Sequence, residues 1–214
     1  MSLPPKIVLY KDWIELRLLS PRDGPAIFEA VKESLPSLKK FMHWAHYDIE
    51  LAKACTVYAD FEAKSLKGEE ANFAGFNITT GEFLFCASLS SGSRLNPLAY
   101  EIGYWVASKH QNQGMGTIAT KILTVLAFRY YGADRLSVGC NPENTASFKV
   151  IEKCGFHFEG LARNFQSKPT QEMIEQGLSL NTDISSFCLV PEDLSELPWF
   201  EEFSRDVVIT PFYD

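Results

Sequence analysis

Apolar residues recur along this 214-residue chain at two spacings, which predict strands in some segments and helices in others. Residues 14–18 (IELRL) alternate apolar and polar side chains, as a strand with one buried face does. Residues 26–34 and 49–66 place apolar side chains three and four positions apart, which predicts two amphipathic helices. Helix-breaking residues follow them, so we expect Pro36 to end the first helix and Gly68 the second.

The second half of the chain continues the alternation of strands and helices. Two β-rich runs around Thr79-Thr80-Gly81 predict a hairpin, and long amphipathic runs predict helices at 117–131 and 145–154. Further strands are predicted at 99–107, 135–140, 157–162 and 182–190. Residues 163–181 show no clear period, and 199–209 predict a last helix or strand. The whole pattern, without repeats or linkers, predicts one α+β domain over residues 1–214, built on a mixed sheet.

Composition and charge narrow the class of protein. The chain is 46% hydrophobic and 22% charged, which is ordinary for a folded globular protein. Its formal net charge of −7 and the lack of a Lys/Arg cluster argue against nucleic acid as a partner and favour a basic acceptor such as an amine. No apolar stretch is long enough to span a membrane, and no secretory signal pattern is present, so we expect a cytoplasmic protein. Five widely spaced cysteines without a CxxC pair predict neither disulfides nor a metal site.

Residues 110–120 (HQNQGMGTIAT) place two glycines between a predicted strand and a predicted helix. Glycine accepts positive φ and lacks a Cβ, so Gly114 and Gly116 allow backbone amides to approach a ligand phosphate at the helix start. One interpretation is a dinucleotide site, since Gly114, Gly116 and Ala119 fit G-x-G-x-x-G/A with Asp134 twenty positions on. In such a site the first glycine directly follows the strand, whereas seven residues separate Val106 from Gly114. An NAD-dependent oxidoreductase therefore remains a minor alternative.

Read from Gln111, the same window is Gln-x-x-Gly-x-Gly, followed by Asn144, Ser147 and the pair Gly155-Phe156. This order resembles the GNAT superfamily of acetyl-CoA-dependent N-acetyltransferases, whose pyrophosphate motif is Arg/Gln-x-x-Gly-x-Gly/Ala. The sequence of residues 100–160 is most similar to that of the branch that acetylates N-terminal amines of ribosomal proteins, the RimJ/RimL type. The resemblance covers roughly residues 10–190 and is weak in the tail, 191–214. It implies a three-layer α/β/α fold whose central, mostly antiparallel sheet splays at the cofactor site.

The resemblance also implies which residues hold acetyl-CoA. The backbone of the strand before the glycines would hold the pantetheine arm, and the amides of residues 113–117 the diphosphate. Asn144 matches a cofactor-contacting asparagine, although an asparagine at a helix start is also a common N-cap. The implied cofactor-binding set is Trp105, Val106, Ala107, Gln111, Gln113, Gly114, Met115, Gly116, Thr117 and Asn144.

Two residues are candidates for the chemistry. Ser147 matches a serine that lies near the thioester sulfur and protonates the leaving thiolate, while Ile151 stands where many members have a tyrosine. Glu101 shares a strand face with Gly103 and Trp105, so its carboxylate is either the base that deprotonates the amine or a solvated edge carboxylate. By resemblance, Trp44 and His46 line the acceptor site. His43 and His46 are too few ligands to indicate a metal.

The sequence thus predicts an enzyme that moves the acetyl group of acetyl-CoA directly to a primary amine, such as a protein N-terminal amine. A non-catalytic acyl-CoA-binding module is the alternative with the same cofactor site. The polar segment 164–181 is longer than the corresponding connection in the family, and we expect it to form a lid or an interface. The pattern leaves open whether the protein is a monomer or a homodimer.

Overall fold

A computed structural model of the chain describes residues 2–48, 50–92 and 95–212. The strands in this part of the chain form one sheet. They are β1 (Ile7–Tyr10), β2 (Ile14–Leu18), β3 (Ala71–Asn77), β4 (Phe83–Ser91), β5 (Ala99–Val106), β6 (Arg135–Cys140), β7 (His157–Ala162), β8 (Ile184–Leu189) and β9 (Val207–Thr210).

Helices connect most of these strands, and the first four begin close to the predicted positions. They are α1 (Gly24–Leu38), α2 (Leu51–Leu66), α3 (Met115–Val125), α4 (Thr145–Cys154), α5 (Gln171–Glu175) and α6 (Phe200–Arg205). A 3₁₀ turn, His43–His46, lies between α1 and α2, and a π-helical turn, Leu126–Tyr130, continues α3. The predicted second helix began at residue 49; the observed helix begins at Leu51, and Ile49 lies outside the described residues.

The strand order is β7-β8-β6-β5-β4-β3-β2-β1-β9. Among the described strands, neighbours run antiparallel except β5 and β6, which are parallel. Helix α3 crosses between these two strands, because parallel neighbours need a long connection. The predicted mixed, mostly antiparallel sheet is confirmed.

Helices cover both faces of the sheet and divide the core in two. On one face α1 and α2 bury Ile27, Val31 and Tyr58 against the sheet. On the other face α3, α4 and α6 bury side chains such as Leu123, Ile151 and Phe203. The three-layer α/β/α arrangement expected from the sequence is therefore present.

The first helix does not end at Pro36 as predicted. It continues to Leu38, whose side chain is buried in the core beneath α1 and α2. A proline removes one backbone hydrogen-bond donor from the helix. In the last turn of α1, the burial of Leu38 offsets the loss of that hydrogen bond.

Strand β1 was missed, and the tail proves to contain both a helix and a strand. β1 is only four residues long, and it is held by pairing with β2 and with β9 at the opposite end of the chain. The segment without periodicity, 163–181, contains the short helix α5. Long-range pairing, which a local pattern does not report, stabilises β1 and β9.

Candidate active site

Strands β5 and β6 separate from each other halfway along their length. Their pairing runs from Ala99 opposite Arg135 to Ile102 opposite Val138 and then stops. Strand β5 continues to Val106 and β6 to Cys140 without pairing to each other. The sheet is therefore forked beyond Ile102, and backbone groups of β5 in the fork lack a partner strand on that side. We call this gap the fork.

The N-terminus of α3 lies beside the fork. Gly114 caps the helix with φ 84°, a left-handed conformation that favours glycine, and its carbonyl accepts the amide of Ile118 at 2.9 Å. The three amides before Ile118 belong to the first helical turn, which has no intrahelical acceptor for them, and Gly114 has no side chain to cap them. These amides and the helix dipole are suited to an anionic diphosphate.

Gly116 has a packing role that the sequence analysis did not predict. A Cβ at this position would come 3.2 Å from Val150 Cγ2 and 3.3 Å from Tyr104 Cε2. Gly116 therefore allows α3 to pack closely on α4 and β5, and this contact places the first turn of α3 against the fork.

The side chains of both glutamines in the motif donate hydrogen bonds to other groups of the protein. Gln111 Nε2 donates to Val106 O and to Ser37 Oγ, each at 3.2 Å, and Gln113 Nε2 donates to Lys109 O at 2.7 Å. The Gln111 bonds fix the loop to the end of β5 and to α1. The two side chains thus hold the loop in place beside the start of α3.

Trp105, Val106 and Ala107, predicted to contact the cofactor through their backbone, lie at the end of β5. Ala107 is buried, and its amide donates to Leu84 O while its carbonyl accepts from His110 N. Its backbone groups are therefore already bonded within the protein. Trp105 lies on the α1/α2 face, and the Val106 side chain packs on the α3 face.

Asn144 acts as the N-cap of α4. Its Oδ1 accepts the amide of Ser147 at 3.2 Å. Of the two roles that the sequence left open, the structure shows the cap, and its Nδ2 is the side-chain group left for a ligand.

Ser147 contacts a residue that the sequence analysis missed. Tyr104 on β5 donates its hydroxyl to Ser147 Oγ at 3.4 Å. Burial raises the pKa of Tyr104 to about 12, so the phenol stays protonated and remains a donor at neutral pH. The signal that could have found it is the alternation along β5, which places Tyr104 on the face covered by α4, opposite to Glu101.

Glu101 lies on the other face of β5, one position before the pairing with β6 ends. Its carboxylate is accessible, yet surrounding protein displaces enough water to raise its pKa above the ordinary value. A Cβ on Gly139 would come 4.0 Å from Glu101 Oε1, so the carboxylate lies over the neighbouring strand at the start of the fork. A carboxylate with a raised pKa is a better proton acceptor near neutral pH than an ordinary one.

A cavity of about 530 Å³ lies on the same face as Glu101, between the sheet and helices α1 and α2. Its walls are mostly apolar and include Trp44 and Trp105, whose rings lie 6.2 Å apart. We call it the apolar cavity. Trp44 lines this space, and its contact with a substrate stays a prediction.

His46 instead joins the segment 164–181 to the loop after α1. Its Nδ1 lies 3.1 Å from Gln176 Oε1 and its Nε2 2.8 Å from Lys39 O. Gln176 Oε1 also accepts from Lys39 Nζ at 2.7 Å, and Ser179 N donates to Lys40 O at 3.1 Å. Both ring nitrogens of His46 are thus used within the protein. We call residues 164–181 the strap, because they run from the β7–β8 end of the sheet to the α1 loop.

The two cysteines near the fork are buried. Burial raises the pKa of Cys154 to about 12 and that of Cys140 to about 11, so neither thiol near the fork is an activated nucleophile. Within the described ranges, no group of three or more His, Cys, Asp or Glu side chains could hold a metal ion. Each helix in the same residues is too short or too polar to cross a bilayer.

Known proteins resemble this chain in sequence and in fold. A family model described as an acetyltransferase (GNAT) domain matches residues 14–157. The probable N-acetyltransferase YjcK of Bacillus subtilis (strain 168) is 31% identical over 104 residues, which are 49% of this chain and 58% of YjcK. The chain thus spans less than two thirds of that relative. The putative ribosomal N-acetyltransferase YdaF of the same organism is 27% identical over 154 residues, 71% of this chain and 81% of YdaF.

Solved structures with the same fold include two ribosomal-type enzymes. Mycobacterium smegmatis RimJ in complex with CoA-disulfide superposes with a TM-score of 0.76 at 19% identity and covers 95% of each chain. RimL, a ribosomal L7/L12 alpha-N-protein acetyltransferase in complex with coenzyme A, gives a TM-score of 0.73 at 20% identity, covering 86% of this chain and 97% of RimL. The match to the family model extends over most of the chain and confirms the resemblance noted in the sequence. The chain belongs to the GNAT family of acetyl-CoA-dependent N-acetyltransferases.

Proposed function

We propose that the protein transfers the acetyl group of acetyl-CoA directly to a primary amine, with a protein N-terminal amine as the model acceptor. The observation that carries this proposal is the meeting of three elements at one point. The uncapped start of α3, the unpaired end of β5 and the first turn of α4 all pack around Tyr104 and Gly116. They bring amides, hydroxyls and a nearby carboxylate to one fork.

The fork and the start of α3 fit coenzyme A. The amides of residues 113–117 would hold its diphosphate, and the backbone of β5 beyond Ile102 would hold the pantetheine arm. Acetyl-CoA supplies a thioester whose acetyl carbon accepts the amine nitrogen. In the overall reaction an N–C bond forms and the C–S bond breaks, the amine loses a proton and the departing thiolate gains one.

The protein's own groups account for both protons. Glu101 accepts the amine proton, directly or through one water, and its raised pKa suits this role near neutral pH. An α-amine has a pKa near ~8 against ~10.4 for lysine, so an N-terminal amine needs little help from a base. Ser147 donates to the thiolate, and the hydrogen bond from Tyr104 orients its hydroxyl. The buried, protonated thiols of Cys140 and Cys154 support direct transfer over an acetyl-cysteine route.

The relative YdaF is named a putative ribosomal N-acetyltransferase, and the RimL structure is titled as an enzyme acting on ribosomal L7/L12. We extend to this chain only the general class of acceptor, an N-terminal or small primary amine. The strap is bonded to the α1 loop through Lys39 and Lys40, and we expect it to help select the particular acceptor.

Thiol release from acetyl-CoA, followed over N-terminal peptides, lysine, polyamines and aminoglycoside-type amines, tests the proposal. We expect transfer to at least one class, with a mass increase of one acetyl group on the amine. Tight CoA binding without transfer to any member would instead support a non-catalytic acyl-CoA-binding module.

A further inference from the structure

The apolar cavity is much larger than the chemistry of acetyl transfer to a small amine requires. At about 530 Å³ it is within the size range of sites that enclose drug-sized ligands. Its walls come from α1, α2 and the 3₁₀ turn and include Val31, Met42, Trp44, Val57 and Phe61. Cys86 is part of the lining too, and burial raises the pKa of its thiol to about 12, so it adds no charge.

The sheet residues that line the cavity lie close to Glu101 on β5. Asn72 on β3 pairs with Ser88 on β4, and Ser88 pairs with Gly103 on β5, so the three lie in one row across the sheet. Glu101 is two residues before Gly103, on the same face and about 7 Å along the strand. An acceptor with its amine at Glu101 therefore points the rest of its structure into the cavity.

The mouth of the cavity is on the side of α2 and the 3₁₀ turn. Tyr47 and Val57 line the cavity and are 64% and 48% exposed, whereas Asn72 is only 9% exposed. A ligand can thus enter from the outer surface, without passing through the fork where coenzyme A would lie. The cavity reaches β5 at Gly103 and Trp105, so a ligand that enters there would meet the acyl donor along this strand.

One polar group in this apolar space lacks a partner. The Nδ2 of Asn72 is buried and makes no hydrogen bond within the described residues. A half-turn about its last side-chain torsion exchanges the two amide atoms, so either can face the cavity. A buried donor without a partner is costly, and a ligand oxygen at this point would remove that cost.

We propose that the acceptor is a primary amine with an aromatic-sized apolar group that fills this cavity and carries an oxygen at its far end for Asn72. Two strand spacings of about 4.8 Å and the step of about 7 Å along β5 separate the Cα atoms of Asn72 and Glu101 by roughly 12 Å. A phenylethylamine skeleton with a para oxygen has a comparable reach when a hydrogen bond of about 2.9 Å is added at each end. The chemistry is that of a free phenolic arylalkylamine or of an N-terminal tyrosine. This inference rests on the proposed acetyltransferase function, because it places the amine at Glu101.

The first test compares acceptors. Acetylation of tyramine, phenethylamine, ethylamine and the peptides Tyr-Ala-Ala and Ala-Ala-Ala is measured as kcat/KM. We expect tyramine or Tyr-Ala-Ala to exceed its small counterpart by at least about tenfold, since even one methylene in an apolar pocket is worth about that much. The two tyrosyl probes distinguish a free amine from an N-terminal residue. Equal kcat/KM for large and small acceptors overturns the inference and leaves the proposed function intact.

The second test fills or alters the cavity. Val57→Trp blocks the mouth, and Leu66→Trp is its control, since Leu66 is similarly exposed on α2 but does not line the cavity. We expect V57W to lower kcat/KM for tyramine at least about tenfold and L66W to leave it unchanged. Asn72→Leu should reduce the advantage of tyramine over phenethylamine roughly five- to tenfold.

Binding measured without turnover separates the two proposals. Thermal stabilisation of the CoA-bound protein by tyramine, lost in V57W and kept in L66W, supports the cavity even where no acetyl group is transferred. No stabilisation by any aromatic amine, or a preference for octanoyl-CoA over acetyl-CoA that V57W removes, would overturn it. The latter result would assign the cavity to the acyl chain.

Discussion

The hydroxyl oxygens of Tyr104 and Ser147 lie 3.4 Å apart and connect β5 to the first turn of α4. The backbone amide of Ser147 is held at the same time by Asn144 Oδ1. Ser147 is therefore fixed at both its amide and its side chain, and its hydroxyl proton is free to be donated away from Tyr104. This arrangement leads to the first prediction.

Ser147→Ala should lower kcat about 100-fold while the KM for acetyl-CoA changes less than about twofold, because the hydroxyl acts only as the thiolate departs. Tyr104→Phe should lower kcat less, about three- to tenfold, since it removes the orientation of Ser147 and not its proton. Steady-state kinetics at saturating acceptor gives both values. A wild-type kcat in S147A would exclude the serine as the proton donor.

Glu101→Gln tests the base through the pH profile. The carboxylate acts in its ionised form, so activity rises as pH increases through the Glu101 pKa, which lies above its ordinary value. The variant should lose that acidic limb and about 10- to 100-fold in kcat/KM at neutral pH, while keeping the limb due to the amine. Glu152→Gln, an exposed change on α4, is the control. An acidic limb that persists in E101Q would assign it to another group.

Gly114→Ala tests the amides at the start of α3. Gly114 has φ 84° and no atom within 4 Å of an added Cβ, so alanine brings left-handed strain without a clash. Gly132→Ala is matched, with φ 63° and equally open space, but it lies beyond the other end of the helix. Each should lose about 1 kcal/mol of unfolding free energy in urea. Only G114A should weaken CoA binding in calorimetry; equal CoA affinities would remove the amides from the site.

The strap can be loosened at its contact with the α1 loop. Gln176→Ala removes the oxygen that both Lys39 and His46 contact. We expect a severalfold higher acceptor KM, because the α1 loop that Gln176 holds continues into Met42 and Trp44 of the cavity wall. The Kd for CoA should be unchanged, because the bond between Ser179 and Glu143, beside Asn144, remains in place. Gln171→Ala, which loses a bond within α5, is the control. If acceptor kinetics are the same in Q176A and wild type, the strap is not part of the acceptor site.

Asp23→Ala removes a buried carboxylate at the start of α1. Asp23 accepts from Arg17 at 2.8 and 3.1 Å and from Ser20 Oγ at 3.2 Å. Arg17 keeps its 2.7 Å contact with Glu15, so the loss is that of the buried hydrogen bonds to Asp23. We expect about 2 kcal/mol lower stability in denaturant unfolding. Asp206→Ala, in the exposed pair with Lys11, should have little effect. Similar losses in both variants would contradict the role of burial.

The fold could be predicted from the sequence wherever the pattern was long and local. The amphipathic pattern of α3, and the N-cap Asn144 and C-terminal Gly155 that bound α4, predicted two helices that the structure confirms. The four-residue strand β1 could not be predicted, because its own pattern is too short and one of its two partners is β9, nearly two hundred residues away.

The candidate site was predictable in its backbone and less so in its side chains. The glycine motif indicated the start of α3, but the same motif did not reveal that Gly116 is needed for packing against Val150. Tyr104 and Asn72 were missed because their significance depends on what faces them, an α4 hydroxyl in one case and an apolar cavity in the other. Such relations arise only once strands are placed in register.

The fork leaves only a short stretch of pairing between β5 and β6, in the interior of the sheet. Four residue pairs join the block β7-β8-β6 to the other six strands there. A cofactor lying along β5 beyond Ile102 would lengthen this junction and stiffen the smaller block against the larger. Amide hydrogens of β6 and β8 should then exchange more slowly once coenzyme A is bound, so that donor binding and the rigidity of one third of the sheet rise together.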